Sequence, residues 1–370
     1  MHRAVFVGGG SGRRVGGVSV ISSHDATRLL HETRAERESD SVGLRARLLS
    51  VAERIGFPEL QRQNMALVAS ELASNIVKHA DGRGFIQVWA QPGPTLDVVA
   101  LDYGPGIPDL HAAMADGYST AQTLGKGLGS VARLSDRWDI FTREPNPPPV
   151  RKWQGTAVLA RFSHDAGPIA DAGVYSRSLA DERYNGDRIF IFQDRVCMRW
   201  LHADGLGSGE MAQEATAPLG GALLTGESPL GVLRVADSQL RKTRGAVALA
   251  GELRYGKSTV EMAGVGDLHA HLIDLDDPDS KEQLVFSPGT LGREYKQPKE
   301  QRTWFNSRGL VITASDGIRR NWDANTFPGL FFRDPQLVAY VLGNIMGRMS
   351  DDQSLLVATV GAAPDAESIR

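Results

Sequence analysis

The sequence has almost no cysteine: a single residue, Cys197, in 370. That excludes an intramolecular disulfide framework and a thiolate metal cluster, and leaves Cys197 to be read as a small buried hydrophobe. Charge of one sign is also lacking. A formal net charge of −3 offers no basic surface to neutralise nucleic-acid phosphates. No apolar run approaches the ~20 residues that a membrane-spanning helix requires. The start, Met1-His-Arg-Ala-Val-Phe-Val-Gly8, holds too short an apolar stretch for a secretory signal. Aromatic residues make up only 7%, and the scattered Trp200, Trp304 and Trp322 read as packing residues, not as a cofactor box. A cytoplasmic protein with no nucleic-acid and no membrane partner is the simplest expectation.

What is present is ordinary globular material. Hydrophobic residues are 41% and charged residues 23%, and the length suffices for two domains with separate cores. Residues 1–17 are glycine-rich but lack the Gly-Lys-Ser/Thr ending of a P-loop, and read as a flexible N-terminus. Residues 18–162 read as a first domain. It has a strand at Val18–Ile21, a helical pattern from His24 to Ala35, another from Val42 to Ile55, and a long helix from Glu59 to His79. Met65, Val68, Leu72 and Ile76 recur at helical spacing and are expected in the core. Strands are expected at Phe85–Ala90, Leu96–Asp102, Trp138–Thr142 and Thr156–Phe162, with a short helix ending near Asp136.

Residues 163–172 are small, polar and broken, and read as a linker. Residues 173–362 read as a second, strand-dominated α+β domain, and 363–370 as a C-terminal tail. Its strands are expected at Arg188–Phe192, Val196–His202, Ala246–Arg254, Ser258–Ala263, His269–Asp274 and Gly309–Ala314, with helices near 210–223, 228–240 and 335–348.

Two constellations carry chemistry. In the first, Glu71, Asn75 and Lys78 fall four and three residues apart, on one face of the long helix. An amide oxygen suits Mg²⁺, which takes oxygen ligands and keeps several waters. A lysine neutralises phosphate, and a carboxylate can orient or deprotonate a hydroxyl. By spacing alone a solvated helix face is the simpler reading. The glycine segments change that. Asp102-Tyr-Gly104-Pro-Gly106 ends a strand in a turn where bare backbone can approach a ligand, and the Asp can accept a hydrogen bond from an exocyclic amine such as that of adenine. Gly125-Lys126-Gly127-Leu128-Gly129 then opens a helix, whose N-terminus attracts phosphate.

With these residues in place, residues 18–162 resemble the histidine-kinase-type ATPase module, specifically the bacterial branch of anti-sigma factors and RsbT-type switch kinases. Glu71-Leu-x-x-Asn75-x-x-Lys78-His79-Ala80 matches the family's helix motif and Asp102-x-Gly-x-Gly106 its adenine box. Asp116-Gly-Tyr-Ser-Thr120 with Leu124-Gly-Lys-Gly-Leu-Gly129 resembles its ATP lid, and Gln154-Gly-Thr156 its third nucleotide box. The resemblance implies Mg·ATP binding, with Asn75 on the metal, Asp102 on adenine and Glu71 as catalytic base. Lys78, His79, Gly104, Gly106, the 125–129 segment and Thr156 complete the nucleotide site. Lys126 stands where many relatives carry an apolar residue.

The second constellation is a set of acidic turns at strand ends: Asn185-Gly-Asp187, Asp204-Gly205-Leu-Gly-Ser-Gly209, Ser315-Asp316-Gly317 and Ser350-Asp351-Asp352. One Asp-Gly pair is an ordinary turn. Four make an oxygen-only set suited to Mg²⁺ or Mn²⁺. Residues 172–362 resemble metal-dependent serine/threonine phosphatases of the SpoIIE and RsbX type. The carriers are Asp204-Gly205-Leu-Gly-x-Gly209, Thr243-Arg-Gly-Ala246, Gly264-Val-Gly266, Ser315-Asp-Gly317 and Asp351-Asp352. The resemblance implies two Mg²⁺ or Mn²⁺ ions bridged by Asp204, with the Gly205 carbonyl, Asp316 and Asp351 as further ligands and Asp187 acting directly or through water. Ser208 and Asp267 depart from the family, which usually shows His and Asn there. His202 shares a strand face with Asp204, so a ligand role is open. Packing against the core is the simpler reading.

The implied fold class is α+β: a histidine-kinase-like ATPase α/β sandwich followed by an α-β-β-α sandwich of phosphatase type. The implied function is a bifunctional phosphorylation switch, a kinase-like head acting on a STAS-domain partner and a phosphatase head. That partner would be an anti-anti-sigma or stressosome-like protein, with a sigma factor or response regulator as further candidates. The alternative is an ATP-binding module that sequesters its partner without kinase activity, fused to a phosphatase or pseudophosphatase.

Overall fold

Runs in which apolar side chains point both ways along a strand demand cover on both faces of a sheet, and this chain has three such sheets. The computed structural model describes residues 19–22, 27–114, 127–143, 153–164, 172–181, 183–194 and 196–361. In chain order the first part contains β1 (Ser19–Ser22), β2 (Arg28–Arg34), α1 (Asp40–Ile55), α2 (Glu59–His79), β3 (Gly84–Gln91), β4 (Thr95–Asp102), α3 (Leu110–Met114), α4 (Gly127–Leu134), β5 (Arg137–Arg143) and β6 (Gly155–Ser163). Strands β2-β3-β4-β6-β5 form an antiparallel sheet.

Helix α1 stops at Gly56, whose left-handed φ of 96° turns its N–H back onto the Ala52 and Glu53 carbonyls. Pro58 then precedes the first turn of α2. The expected stripe of Met65, Val68, Leu72 and Ile76 is buried, and packs on Ile86, Val88, Val98, Ala100 and Val158 from one face of the sheet. Each such side chain contributes about 1.5–3 kcal/mol by leaving water. The opposite face presents Trp89, Val99, Leu101, Phe141, Ala157 and Leu159 to a second cluster.

The second part contains β7 (Ala172–Arg177), β8 (Asp187–Gln193), β9 (Cys197–Gly205), α5 (Glu210–Thr216), α6 (Gly221–Thr225), α7 (Pro229–Leu240), β10 (Ala246–Arg254), β11 (Thr259–Val265), β12 (His269–Asp274), β13 (Asp277–Leu284), β14 (Gln301–Trp304), β15 (Gly309–Ala314), α8 (Pro335–Met346) and β16 (Gln353–Val360). Two sheets, β1-β8-β9-β10-β11-β14 and β13-β12-β15-β16-β7, face each other through Ile189, Trp200, Leu249 and Met262 on one side and Leu272, Val311 and Leu356 on the other. Helices α5 to α7 cover the outer face of the first sheet through Ala215, Leu223 and Leu233, joined by Leu219 from the turn between α5 and α6.

The outer face of the second sheet is covered by α8, which is apolar all round and buried along nearly its whole length. Its far side meets the free face of the first module's sheet. The layers therefore continue without a break from one module into the other. The Trp89 ring lies 5.2 Å from Tyr175 and 5.3 Å from Tyr340. Gln87 and Asn344 exchange side-chain hydrogen bonds of 2.8 and 3.1 Å.

The α+β class and the alternation of elements are as expected, and the long helix runs from Glu59 to His79 as its spacing predicts. Three features differ. The expected helix over His24–Ala35 is strand β2 over its described part. Leu29 packs toward the α8 cluster and Leu30 toward the α2 cluster, an arrangement that needs side chains on opposite faces. Strand β1 pairs with β8, so this segment N-terminal to the first module extends a sheet of the second. Strands β7, β13, β14 and β16 were not among the expected elements.

Candidate functional site

The first site is built around Asp102, the last residue of β4. Its Oδ1 accepts the N–H of Gly104 at 2.8 Å and that of Thr156 at 3.0 Å. Gly155, with a φ of 139°, lets β6 come this close: a Cβ there would stand 2.1 Å from the Asp102 carbonyl oxygen. The Trp153 indole donates to that same carbonyl at 3.0 Å. Burial raises the Asp102 carboxyl above its ordinary range, opposed by the two backbone N–H groups and by the nearby Arg83 and His79. Among the described residues Oδ2 accepts no hydrogen bond, which leaves it for an incoming amine donor.

Helix α2 ends beside this turn, where Gly104 packs against Ala80. Glu71 and Asn75 are half-buried, and neither side chain is bonded among the described residues; Lys78 and His79 are exposed at the helix end. An unbonded amide oxygen on Asn75 fits a hard cation that also takes phosphate oxygens. The turn through Gly106, φ 77°, is anchored where the Thr142 hydroxyl accepts the Ile107 N–H at 2.8 Å. That hydroxyl lies 3.3 Å from the buried Thr156. Helix α4 opens at Gly127, with Leu128 and Val131 buried against α2 and Gly129 half-buried. Gly125, Lys126 and the Asp116–Thr120 segment lie outside the described residues.

The second site sits at one end of the β-sandwich. Asp187 and Asp204 are direct cross-strand partners on β8 and β9, on the inner faces that also carry Ile189 and Trp200. Like charges placed so are unfavourable. Burial pushes Asp187 up to about 7, with Asp352 and Asp316 adding to it and the Ser315 and Ser354 hydroxyls opposing. Asp204 is pushed up to about 10, by burial first and then by Asp187, Asp316, Asp351 and Asp267. Asp316 is raised by burial, Asp351 and Asp267, and lowered by Arg348 and Arg320. Asp204 therefore feels Asp187, Asp316 and Asp351, the four residues lying at the ends of four separate strands.

The turns that hold them are closely braced. The Asp352 carboxylate accepts the Leu179 and Gly186 N–H groups, both at 2.7 Å, and the Asn185 side chain accepts the Asp187 N–H at 2.8 Å. Gly317 is pressed onto β16: a Cβ would lie 1.8 Å from the Asp352 carbonyl oxygen. Gly205 N–H donates to the Gly186 carbonyl at 3.2 Å. Asp351 is exposed. Among the described residues no three His, Cys, Asp or Glu side chains close on one point as metal ligands do. The oxygen-only set still fits Mg²⁺ or Mn²⁺, because Mg²⁺ keeps several waters and needs only one or two direct carboxylates.

His202 is a core residue. It is fully buried, its Nδ1 lies 3.0 Å from Thr313 Oγ1 and its Nε2 2.7 Å from Ser354 Oγ, and burial holds its imidazole at about 3. Cys197 is buried with its thiol pushed up to about 11. Trp200 and Trp322 are buried, whereas Trp304 is exposed. Sequence reasoning quoted Ser315 and Asp352 as motif members without a role of their own, and passed over Thr313 and Ser354. The available signal was polar residues at inward positions of otherwise apolar strands, as in Gln353-Ser-Leu-Leu-Val-Ala-Thr-Val360.

Residues 34–158 match the family model for the histidine kinase-like ATPase domain. The serine/threonine-protein kinase RsbT of Bacillus subtilis is 40% identical over 106 residues, covering 28% of this chain and 79% of that protein. Among solved structures, RsbX in complex with magnesium is similar at 18% identity and a TM-score of 0.45, over 50% of this chain and 92% of that one. The phosphatase domain with a regulatory fragment of SpoIIE from Bacillus subtilis gives 12% identity and a TM-score of 0.41, over 88% and 94%. Likeness this distant adds nothing to the sheet order and acidic turns already described.

Proposed function

The chain belongs, through its first module, to the family of the serine/threonine-protein kinase RsbT with its histidine kinase-like ATPase domain, and from that membership we propose a bifunctional phosphorylation switch. One head transfers phosphate from ATP to a serine or threonine of a STAS-domain regulatory protein, an anti-anti-sigma or stressosome-like partner. The other releases phosphate from phosphoserine or phosphothreonine.

In the first head, Asp102 Oδ2 accepts the adenine amine while Oδ1 stays fixed on Gly104 and Thr156. Asn75 would hold the Mg²⁺ that accompanies ATP, and Lys78 and the helix start at Gly127 would face the phosphates. Glu71 takes the proton of the attacking hydroxyl. In the second head, Asp204, Asp316 and Asp351, the Gly205 carbonyl and Asp187 would hold two Mg²⁺ or Mn²⁺ ions. Such ions, when bound, supply an activated water and neutralise the phosphate ester. The residues of the chain keep these oxygens together against their own repulsion.

The observation that carries this reading is the cross-strand pairing of buried Asp187 with half-buried Asp204. Among the described residues no cationic side chain forms an ion pair with either. Two ionised carboxylates placed so are costly without a compensating charge, which a bound cation would supply. The test is incubation of the purified chain with ATP, Mg²⁺ and STAS-domain proteins, then of the phosphorylated partner with Mn²⁺. Transfer in the first step and phosphate release in the second are expected; neither occurring would overturn the proposal. A second reading, in which the first head only binds its partner, is favoured if Glu71→Ala leaves both partner binding and ATP-dependent function intact.

A further inference from the structure

The inner faces of the β-sandwich are apolar for most of their length and turn polar at the acidic end. Directly behind the carboxylates lie three buried polar side chains from three strands: His202 on β9, Thr313 on β15 and Ser354 on β16. Their contacts form one chain. Thr313 Oγ1 is 3.0 Å from His202 Nδ1, His202 Nε2 is 2.7 Å from Ser354 Oγ, and Ser354 Oγ donates to Asp187 Oδ2 at 2.7 Å. Ser354 N–H in turn donates to Ser315 Oγ at 3.1 Å, beside Asp316.

The direction of this chain follows from donor counting. Ser354 Oγ donates to Asp187 Oδ2, which uses its single proton. Ser354 Oγ must then accept from His202 Nε2–H. A neutral imidazole carries one proton, so Nδ1 is bare and accepts from the Thr313 hydroxyl. We propose that Thr313, His202 and Ser354 form a positioning relay that fixes the rotamer of Asp187 for cation binding, with His202 held as the Nε2–H tautomer. The relay rests on the two-ion reading of the second head. It places His202 two bonds behind the ligand shell, where it acts through Ser354 and never touches the ion. Outer-shell partners of this kind fix ligand orientation, and their loss typically costs about 10–100-fold in metal affinity.

The test is Mn²⁺ and Mg²⁺ binding by calorimetry on the full chain, with thermal unfolding to establish that each variant is folded. His202→Leu and Ser354→Ala are expected to weaken Mn²⁺ binding by about 10–100-fold. His202→Gln, which can accept from Thr313 and donate to Ser354, is expected to recover most of that loss. The double variant His202→Leu with Ser354→Ala is expected to lose no more than either single one, because the residues act as one chain. Nitrogen chemical shifts of the Mg²⁺-loaded protein are expected to show the Nε2–H tautomer. Folded variants that bind Mn²⁺ as tightly as the unaltered chain, or a Gln variant as weak as Leu, overturn the relay alone. An unaltered chain that binds no divalent cation overturns the two-ion reading and the relay with it. If His202→Leu does not fold, Ser354→Ala and Thr313→Val decide by the same criterion.

Discussion

The hydroxyl of Tyr340, on α8 of the second module, donates a 2.8 Å hydrogen bond to the Asp97 carboxylate on β4 of the first. Asp97 is at the same time held by Arg161 through bonds of 2.6 and 2.7 Å, and Gln91 donates to the Tyr340 oxygen at 2.7 Å. All four side chains are buried. Burial and the adjacent Asp97 carboxylate raise the Tyr340 hydroxyl above its ordinary value, so it stays a donor. The two modules thus share a polar network inside a common apolar cluster.

Shared burial predicts shared unfolding. The full chain is expected to unfold in one cooperative transition seen alike by probes in either module. Tyr340→Phe removes one donor from a buried carboxylate and is expected to cost about 1–3 kcal/mol. Two well-separated transitions in chemical denaturation of the unaltered chain would show that the contact does not couple the modules.

Removing one partner of the buried ion pair is expected to be worse than removing both. Asp97→Ala leaves Arg161 buried and uncompensated, at a cost of about 3–5 kcal/mol. An Asp97→Leu, Arg161→Met double variant should recover much of that loss. Equal destabilisation of the single and double variants would contradict this account.

At the nucleotide site, Gly155→Ala is expected to abolish ATP binding with the rest of the fold retained. The added Cβ would meet the Asp102 carbonyl at 2.1 Å and push β6 off Asp102. Asp102→Asn exchanges an acceptor oxygen for a donor and should weaken ATP by tenfold or more, about 1.4 kcal/mol. Calorimetric titration of both variants checks this; unchanged affinity would remove Asp102 from the adenine site.

Stability should respond to pH with two opposite signs. His269 and His271 are buried 5.0 Å apart, and burial lowers them to about 2 and about 3 from 6.5. Because the unfolded state binds their protons first, their contribution is complete above pH 6.5 and is lost as pH falls, by up to about 1.4 kcal/mol per unit for each group. Asp187 and Asp204 are raised instead, so in cation-free protein their contribution is lost as pH rises through their folded values. Denaturation midpoints of His271→Phe minus those of the unaltered chain isolate the first effect. A difference that does not change between pH 7 and 5 would rule it out.

Divalent cations should reverse the alkaline loss. Binding to the folded state alone stabilises by about 2.7 kcal/mol at a hundredfold excess over Kd, and the gain should grow with pH as the carboxylates ionise. Thermal unfolding with and without Mn²⁺, on the unaltered chain and on Asp204→Asn, measures it. An equal Mn²⁺ shift in both proteins would place the ion elsewhere.

Much of this protein was legible in its residues because the information is local. The 3.6-residue recurrence of Met65, Val68, Leu72 and Ile76 specifies both a helix and its buried side. Gly56 and Pro58 end one helix before the next begins, and the Asp-Gly turns mark where strands stop and carboxylates collect. The motifs Glu71 to Ala80 and Asp102 to Gly106 carry the family resemblance with no need of coordinates. Tertiary structure alone decided the rest. Leu29 and Leu30 fit a helical stripe as readily as a strand until two separate cores claim them from opposite sides. The pairing of β1 with β8 joins residues some 170 positions apart, beyond any local pattern. That α8 serves two sheets at once, and that His202 finds Ser354 and through it Asp187, depend on which strands lie adjacent. Periodicity within one segment says which side is buried; only the assembled sheets say against what.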